Sequence, residues 1–396
     1  VTLQDTDIVI VGAARTPFGK LLGGLAALPA TDLGAHAIRG ALEQARVEPE
    51  LVDAVVFGQV LQAGVGQNPT KQAALAAGIS PRAHTTTVNK ICLSGLTAVI
   101  DAARLLRAGE AEVVVAGGME SMTNAPHLLP RSRAGVKFGA FEALDHMEHD
   151  GLRAADLGIS MGSLSEKYAG RYPVTREEQD HCAALSHQRA LAATQDGTLA
   201  REIVPLIIET RKGSVTVESD DGIREGVTDE SLAKLRPAFE KDGSITAGNS
   251  SPITDGAAAV VLTTAAHAAA QGWAVLAALR SVGQTAGPDS SLQQQPADAL
   301  LRALEREGWD AGSLDHVEIN EAFAAVVVHS ARTLGLDPDA VNPQGGAIAM
   351  GHPIGASGAR LVVHAAHQLA AGAGSRAGVA LCGGGGQGEA LLLEAK

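Results

Sequence analysis

The chain has 396 residues, 45% of them apolar and 19% charged, as in an ordinary globular protein that buries a large core. A formal net charge of −13 argues against nucleic acid or an anionic membrane surface as a partner, because either would need a basic stripe. It leaves room for a small anionic ligand, which helix N-termini and a few local cations can hold.

Aromatic residues make up only 3%, so Ala, Val, Leu and Gly must fill the interior. Residues 7–14 read as a buried strand, and the apolar run 8–14 is too short to span a bilayer. No secretory signal or peroxisomal address is read, and a cytoplasmic location is expected. Residues 31–45 have the pattern of an amphipathic helix capped at Thr31 or Asp32. A short strand over 51–58, a helix over 68–77, a helix over 93–108 and an apolar strand over 113–116 follow. This alternation predicts an α/β protein with a mainly parallel sheet and helices on both faces. From about 123 to 244 charges and turn residues rise, and strand signals thin out. Within that stretch 127–156 is rich in loops, and 175–194 is a helix opened by a capping-box pattern on Thr175 and Glu178. The stretch reads as an insertion packed on the core. After it an apolar run over 257–262 opens a second α/β series from 274 onward.

An internal repeat organises the chemistry. Ser94-Gly95 placed over Ser357-Gly358 brings Val99 onto Val362, Ala102-Ala103 onto Ala365-Ala366, Leu106 onto Leu369 and Ala108-Gly109 onto Ala371-Gly372. Residues 113–118 then match 379–384. Each copy is loop, helix, tight turn, buried strand and double glycine, so two halves related by a pseudo-two-fold axis are expected, with a ligand between them. Cys92 precedes the first helix, where the helix dipole and free N–H groups would lower its thiol pKa. His352, in Gly351-His352-Pro353, lies in the equivalent loop of the second copy, and Cys382 ends a strand beside Gly383 to Gly386. Two thiols and one imidazole at mirrored loop ends supply a nucleophile and a base.

Blander readings apply elsewhere. Cys182, beside Ala183-Ala184, reads as a space-filling cysteine. His364 and His367 read as surface or packing residues. Residues 383–388 match G-x-G-x-x-G, but a strand and not a helix should follow, so a dinucleotide site is rejected. The three cysteines have neither zinc nor C-x-x-C spacing, which fits a reducing compartment and predicts no metal.

Asn89-Lys90-Ile91-Cys92-Leu93-Ser94-Gly95 resembles the nucleophile motif of the thiolases. Asn320-Glu321-Ala322-Phe323-Ala324, the stretch from Gly345-Gly346 to Gly351-His352-Pro353, and Cys382 through Gly388 resemble its other signatures. Gly117 to Met122 and Gly248-Asn249-Ser250-Ser251 add two more, in the family's order over essentially the whole chain. The resemblance implies a five-layered αβαβα thiolase fold of two similar halves. Residues 1–122 with 249–273 would form the N-terminal half and 274–396 the C-terminal half. Residues 123–248 would be an inserted loop domain for CoA binding and oligomer contacts. It implies ping-pong chemistry in which Cys92 holds the acetyl group, His352 is its base, and Cys382 takes a proton from the methyl carbon of a second acetyl-CoA. His352 and a water on Asn320 would form one oxyanion hole, and the N–H groups of Cys92 and Gly384 the other. Family contacts to CoA fall on Arg224, Ser231, Ala247 and Ser251, with Leu152, Met161, Phe239 and Phe323 along the pantetheine tunnel. No cofactor beyond CoA as substrate and product is implied.

The expected activity is acetyl-CoA C-acetyltransferase, condensing two acetyl-CoA to acetoacetyl-CoA in lipid metabolism. A degradative 3-ketoacyl-CoA thiolase of broader chain length, or a non-catalytic acyl-CoA-binding relative, are the alternatives. Partners would be acyl-CoA substrates and further copies of the chain, as a dimer or homotetramer. Two departures bear on chain length. Ser160 stands where several acetoacetyl-CoA-forming members carry His, and 292–296 (Leu-Gln-Gln-Gln-Pro) replaces a frequent Met-Gly-Thr-Gly-Pro. Gln344 replaces a frequent Asn, with no large effect expected.

Overall fold

The structure, a computed structural model, describes residues 3–210 and 213–396. The first two residues of the expected N-terminal half, and residues 211–212 of the expected insertion, lie outside the described residues. Nine strands build the main sheet. They are β1 (Ile8–Arg15), β2 (Ala54–Gly58), β3 (His84–Val88), β4 (Val113–Ser121), β5 (Thr254–Thr264), β6 (Ala277–Ala286), β7 (His316–Ile319), β8 (Arg376–Gly383) and β9 (Gln387–Glu394). Their order is β7-β8-β9-β6-β1-β5-β4-β2-β3, and a two-residue tenth strand, Gly19–Lys20, pairs with the start of β5. Only two residue pairs, Val9 with Ala278 and Ile10 with Ala277, join β1 to β6. This short ladder is where the strands of the two halves join in one sheet.

Helices α1 (Ala30–Ala45) and α2 (Pro69–Ala76) cover the outer face of the first half. Helices α3 (Ser94–Ala108) and α8 (Ser357–Ala370) lie between the halves and pack against strands of both. Helices α6 (Gln295–Glu307) and α7 (Ala324–Thr333) cover the outer face of the second half. The result is the five-layered αβαβα arrangement. Position dictates composition: α8 and the first turns of α3 are buried nearly all round and are rich in Ala, Val and Leu, and even Ser94 and Ser357 are buried, whereas the far end of α3 exposes Arg104 and Arg107.

The expectation of a mainly parallel sheet is corrected. Pairs β2–β3, β2–β4 and β7–β8 are parallel, whereas β1–β5, β5–β4, β1–β6, β6–β9 and β8–β9 are antiparallel. Helical crossovers enforce parallel neighbours, but β9 returns from β8 through a glycine turn, and β5 follows the insertion. Strand β9 also occupies the place where a dinucleotide fingerprint would need a helix.

The repeat has a packing cause. A Cβ on Gly95 would lie 2.8 Å from the Ala359 nitrogen and 3.0 Å from the Gly355 oxygen, and one on Gly358 would lie 2.5 Å from the Leu96 nitrogen. Helices α3 and α8 thus meet backbone to backbone at their N-terminal ends, and each copy must keep its Ser-Gly pair.

The segment between β4 and β5 carries α4 (Met161–Lys167), α5 (Arg176–Gln195) and the hairpin Leu206–Thr210/Gly213–Val217. Thr175 caps α5 in a reciprocal capping box with Glu178. A buried ion network ties this segment to the core. Arg15 bonds Glu202 at 2.6 Å and Asp220 at 2.7 and 2.9 Å, and Glu202 bonds His364 Nδ1 at 2.7 Å. His364 is wholly buried, so of its two expected placements packing holds and surface does not; its Nδ1 faces Glu202 at 2.7 Å and its Nε2 lies 3.9 Å from Glu318 Oε1. Burial opposes ionisation of Glu202, but His364 and Arg15 hold its carboxyl well below the usual range. Cys182 packs against three apolar clusters, as a space-filling residue should.

Candidate active site

The turn before α3 carries Cys92 in a conformation that the surrounding bonds hold in place. Ile91, a β-branched residue, sits at φ 50°, in the left-handed region that such residues avoid. Ser94 Oγ accepts from the Lys90 N–H at 2.8 Å and donates to the Ile91 oxygen at 2.6 Å. Asn89 Oδ1 accepts from the Ile91 N–H at 3.1 Å, and Lys90 Nζ pairs with the buried Glu389 at 2.6 Å. Strain of this kind persists only where several contacts fix it. The backbone N–H groups of Cys92 itself and of Gly384 are directed at the thiol.

His352 follows Gly351, whose φ of 121° and missing Cβ (2.5 Å from Thr254 Cγ2) let the chain reverse tightly. The His352 N–H donates to Thr254 Oγ1 at 3.0 Å. Its Nδ1 lies 2.5 Å from Ser357 Oγ, which itself donates to the Pro353 oxygen at 3.0 Å. The serine hydrogen is therefore used, so Nδ1 carries the imidazole proton and Nε2 is left as the acceptor. Asn320 Nδ2 lies 3.5 Å from that Nε2. Burial lowers His352 to about 4, so the imidazole is neutral at pH 7.

The lowered thiol pKa expected for Cys92 is overturned. Helix α3 starts two residues later, at Ser94, and burial dominates. It pushes the thiol up to about 12 against the lowering by the two N–H groups, with the Glu120 charge adding to the rise. Burial, with Cys92 nearby, also pushes the Cys382 thiol up strongly. The resting site is two neutral thiols and a neutral imidazole.

A cavity of about 510 Å³ brings these groups together. Cys92, His352, Cys382 and Gly384 line it, as do Leu152, Met161, Phe239, Ala247, Ser251 and Phe323. Phe239 and Phe323 meet edge to face at 6.1 Å, and a Cβ on Gly162 would lie 2.3 Å from the Phe239 ring. Ser251 Oγ donates to the Ala322 oxygen at 3.1 Å. Both departures noted in the sequence, Ser160 and Leu292, line the same cavity. Asn320 reaches it only through His352. Arg224 and Ser231 are exposed and lie outside its lining. The Arg224 guanidinium meets His187 Nε2 at 3.0 Å, and Ser231 forms a capping box with Thr228.

Two carboxylates escaped the sequence reading, although both stand inside quoted motifs. Glu321 accepts from Ser186 Oγ at 2.6 Å, Asn342 Nδ2 at 2.9 Å and the Ile348 N–H at 2.9 Å, which pins the chain leading to His352. Glu120 accepts three backbone N–H groups. An acidic residue within an apolar motif was the available signal.

Among the described residues one group has metal-ligand spacing, His316, Glu318 and His364, with donor atoms within 4.8 Å of one another. Arg360 holds Glu318 Oε2 at 2.9 Å, which puts a fixed positive charge beside any cation there. The cluster is wholly buried and lies outside the cavity lining.

The thiolase N-terminal domain family matches residues 8–266, and the thiolase C-terminal domain family matches residues 273–395. A "Probable acetyl-CoA acetyltransferase" of Mycobacterium tuberculosis is 54% identical over 392 residues, covering 98% of this chain and all of the relative. One of Mycolicibacterium smegmatis is 53% identical over 386 residues, covering 97% of this chain and all of the relative. An "Acetyl-CoA acetyltransferase" of Cupriavidus necator is 46% identical over 392 residues, covering 99% of this chain and all of the relative.

Proposed function

From the premise that the chain belongs to the thiolase family, and is an acyltransferase, we propose that it condenses two acetyl-CoA into acetoacetyl-CoA and CoA, reversibly. The observation that carries this reading is the single cavity in which Cys92, His352, Cys382 and the Gly384 backbone converge.

Residue chemistry supports a two-stage course. Nε2 of neutral His352 takes the Cys92 proton as Sγ attacks the acetyl carbonyl. The N–H groups of Cys92 and Gly384 receive the oxyanion, and collapse expels CoA thiolate, which leaves with the proton from His352. Acetyl-Cys92 remains. Cys382 is protonated at rest, so it becomes a base by passing its proton to His352. It then takes a methyl proton from the second acetyl-CoA. The resulting enolate oxygen faces the imidazolium Nε2–H, with Asn320 contributing directly or through a water. The enolate carbon attacks acetyl-Cys92, a C–C bond forms, the C–S bond to Cys92 breaks, and His352 returns its proton to that sulfur. In this reading Leu152, Met161, Phe239 and Phe323 flank the pantetheine arm, with Arg224, Ser231, Ala247 and Ser251 toward the rest of CoA.

Chain length is the finer part of the proposal. Leu292 is buried and packs in one apolar cluster with Cys382 and Phe323, which favours a short acyl group. With purified protein and CoA, cleavage of acetoacetyl-CoA should exceed that of the six- and eight-carbon 3-ketoacyl-CoA by roughly tenfold or more in kcat/KM. A flat or rising series would replace this reading with the degradative one.

The base also sets a pH limb. His352 accepts protons only when neutral, above its lowered pKa. Acetylation of Cys92 should therefore persist well below pH 6.5 and fall only as pH approaches about 4. Stopped-flow acetylation in buffers of pH 4 to 8, with circular dichroism to verify folding, measures this; a limb near 6.5 would remove His352 as the buried base.

No helix among the described residues is long and apolar enough to cross a membrane. We read the chain as a cytoplasmic homo-oligomer of lipid metabolism, a dimer or homotetramer. Exposed Phe138, Phe141 and Val136 on one loop favour contact with another copy.

A further inference from the structure

Cys92 and His352 stand on loops from different halves of the chain, and nothing covalent fixes their separation. Glu120, on β4, lies where these loops meet and is wholly buried. Its Oε2 accepts from the Gly355 N–H at 2.9 Å, three residues beyond His352. The same oxygen accepts from the Val60 N–H at 3.0 Å, and Oε1 from the Leu61 N–H at 3.1 Å. The Val60 oxygen in turn accepts from Asn89 Nδ2 at 3.4 Å, and Asn89 braces the turn of Ile91 and Cys92. A Cβ on Gly355 would lie 2.6 Å from Oε2, so the contact leaves no slack. Ile354, next to Gly355, lines the cavity and packs with Val60, Leu61 and Cys92.

We propose that Glu120 is a positioning residue for acyl transfer: its carboxylate joins the nucleophile loop to the base loop and sets the distance between Cys92 and His352. The proposal rests on the thiolase reading of those two residues. The choice of residue follows from the donors. Three N–H groups converge on two oxygens, which a carboxylate can satisfy and an amide cannot, because its NH₂ would face a donor. Burial raises Glu120 to about 7, the three N–H groups oppose the rise, and Asp255 adds to it. Its charge also faces Cys92 and disfavours the thiolate. The placement and the charge therefore act on catalysis in opposite directions, and that opposition makes the role testable.

Full-length parent, Glu120→Gln and Glu120→Asp are compared by single-turnover acetylation from acetyl-CoA, with modification at Cys92 read by peptide mass. They are also compared by iodoacetamide alkylation of the same peptide at pH 8. Glu120→Gln should acetylate roughly 10²-fold more slowly, as expected for about an ångström of misplacement, with KM for acetyl-CoA within about threefold. Its Cys92 should nevertheless alkylate several-fold faster, because a facing negative charge is gone. Glu120→Asp keeps the charge but shortens the reach; it should acetylate slowly and alkylate at the parent rate, and it carries the test if the glutamine variant does not fold. Parent-like acetylation in both variants overturns the proposal, as does a parallel loss of acetylation and alkylation. Failure of the parent itself to form acetyl-Cys92 would overturn the thiolase reading instead.

Discussion

Cys92→Ser is expected to lose acetyl transfer by roughly 10⁴-fold or more, the scale seen when a covalent nucleophile is removed from a working constellation. The buried site makes the loss severe. The thiol already needs His352 to take its proton, since burial pushes it up to about 12. A serine hydroxyl is far harder to ionise in the same place, and the neutral imidazole, lowered to about 4, is a weak base for it. Folding should survive, because the substitution exchanges one atom for a smaller one, and the melting temperature should stay within a few degrees. Incubation of the parent with acetyl-CoA should add one acetyl group, found on the Cys92 peptide by mass, and the serine variant should add none. Acetylation of Cys382 in the parent would reverse the roles given to the two thiols.

Cys382→Ser should separate the two stages. Acetylation of Cys92 needs only Cys92, His352 and the two N–H groups, so it should continue near the parent rate. Formation of acetoacetyl-CoA should fall by roughly 10²–10⁴-fold, the usual contribution of a positioned proton-transfer group. Exchange of acetyl-CoA methyl protons with deuterated water, followed by mass spectrometry, should fall in parallel because it reports the enolate. Asn320→Ala should follow the same split more mildly, because it removes one donor near Nε2 and leaves the nucleophile intact. Normal deuterium exchange in Cys382→Ser would move the base to another residue, with His352 first in line.

Legibility of the chain varied for physical reasons. Helix α5 can be read to within a residue because Thr175 and Glu178 satisfy each other's backbone and mark its start chemically. The centre could be read through the repeat, because two helices that meet backbone to backbone tolerate only Gly95 and Gly358. Strand β3 could not: His84 to Val88 is an exposed to half-exposed threonine run that neither alternates nor forms an apolar block. Strand direction was equally hidden, since it depends on what connects the strands. At the site, cavity residues were visible through their motifs, whereas the thiol pKa was not. A helix start is a local feature, but the desolvation that outweighs it comes from a surrounding fold that no seven-residue motif encodes. Glu120 and Glu321 showed only as acids within apolar motifs: the partners of Glu120 are backbone N–H groups, which leave no trace in side-chain identity, and Ser186 and Asn342 reach Glu321 from distant segments that only the fold brings together.

The meeting of α3 with α8 also bears on how such a site can diverge. The loops of Cys92 and His352 enter these two helices at the end where Gly95 and Gly358 press each on the other's backbone. Neither loop can drift alone, because a methyl group added to one helix displaces the start of both. The spacing of nucleophile and base is therefore inherited as one joint property of the duplicated unit. Substrate preference, by contrast, can change through side chains such as Leu292 and Ser160, which line the cavity and take no part in that joint. Descendants of one ancestral pair can thus come to accept different acyl chains while the reacting sulfur and nitrogen keep their places.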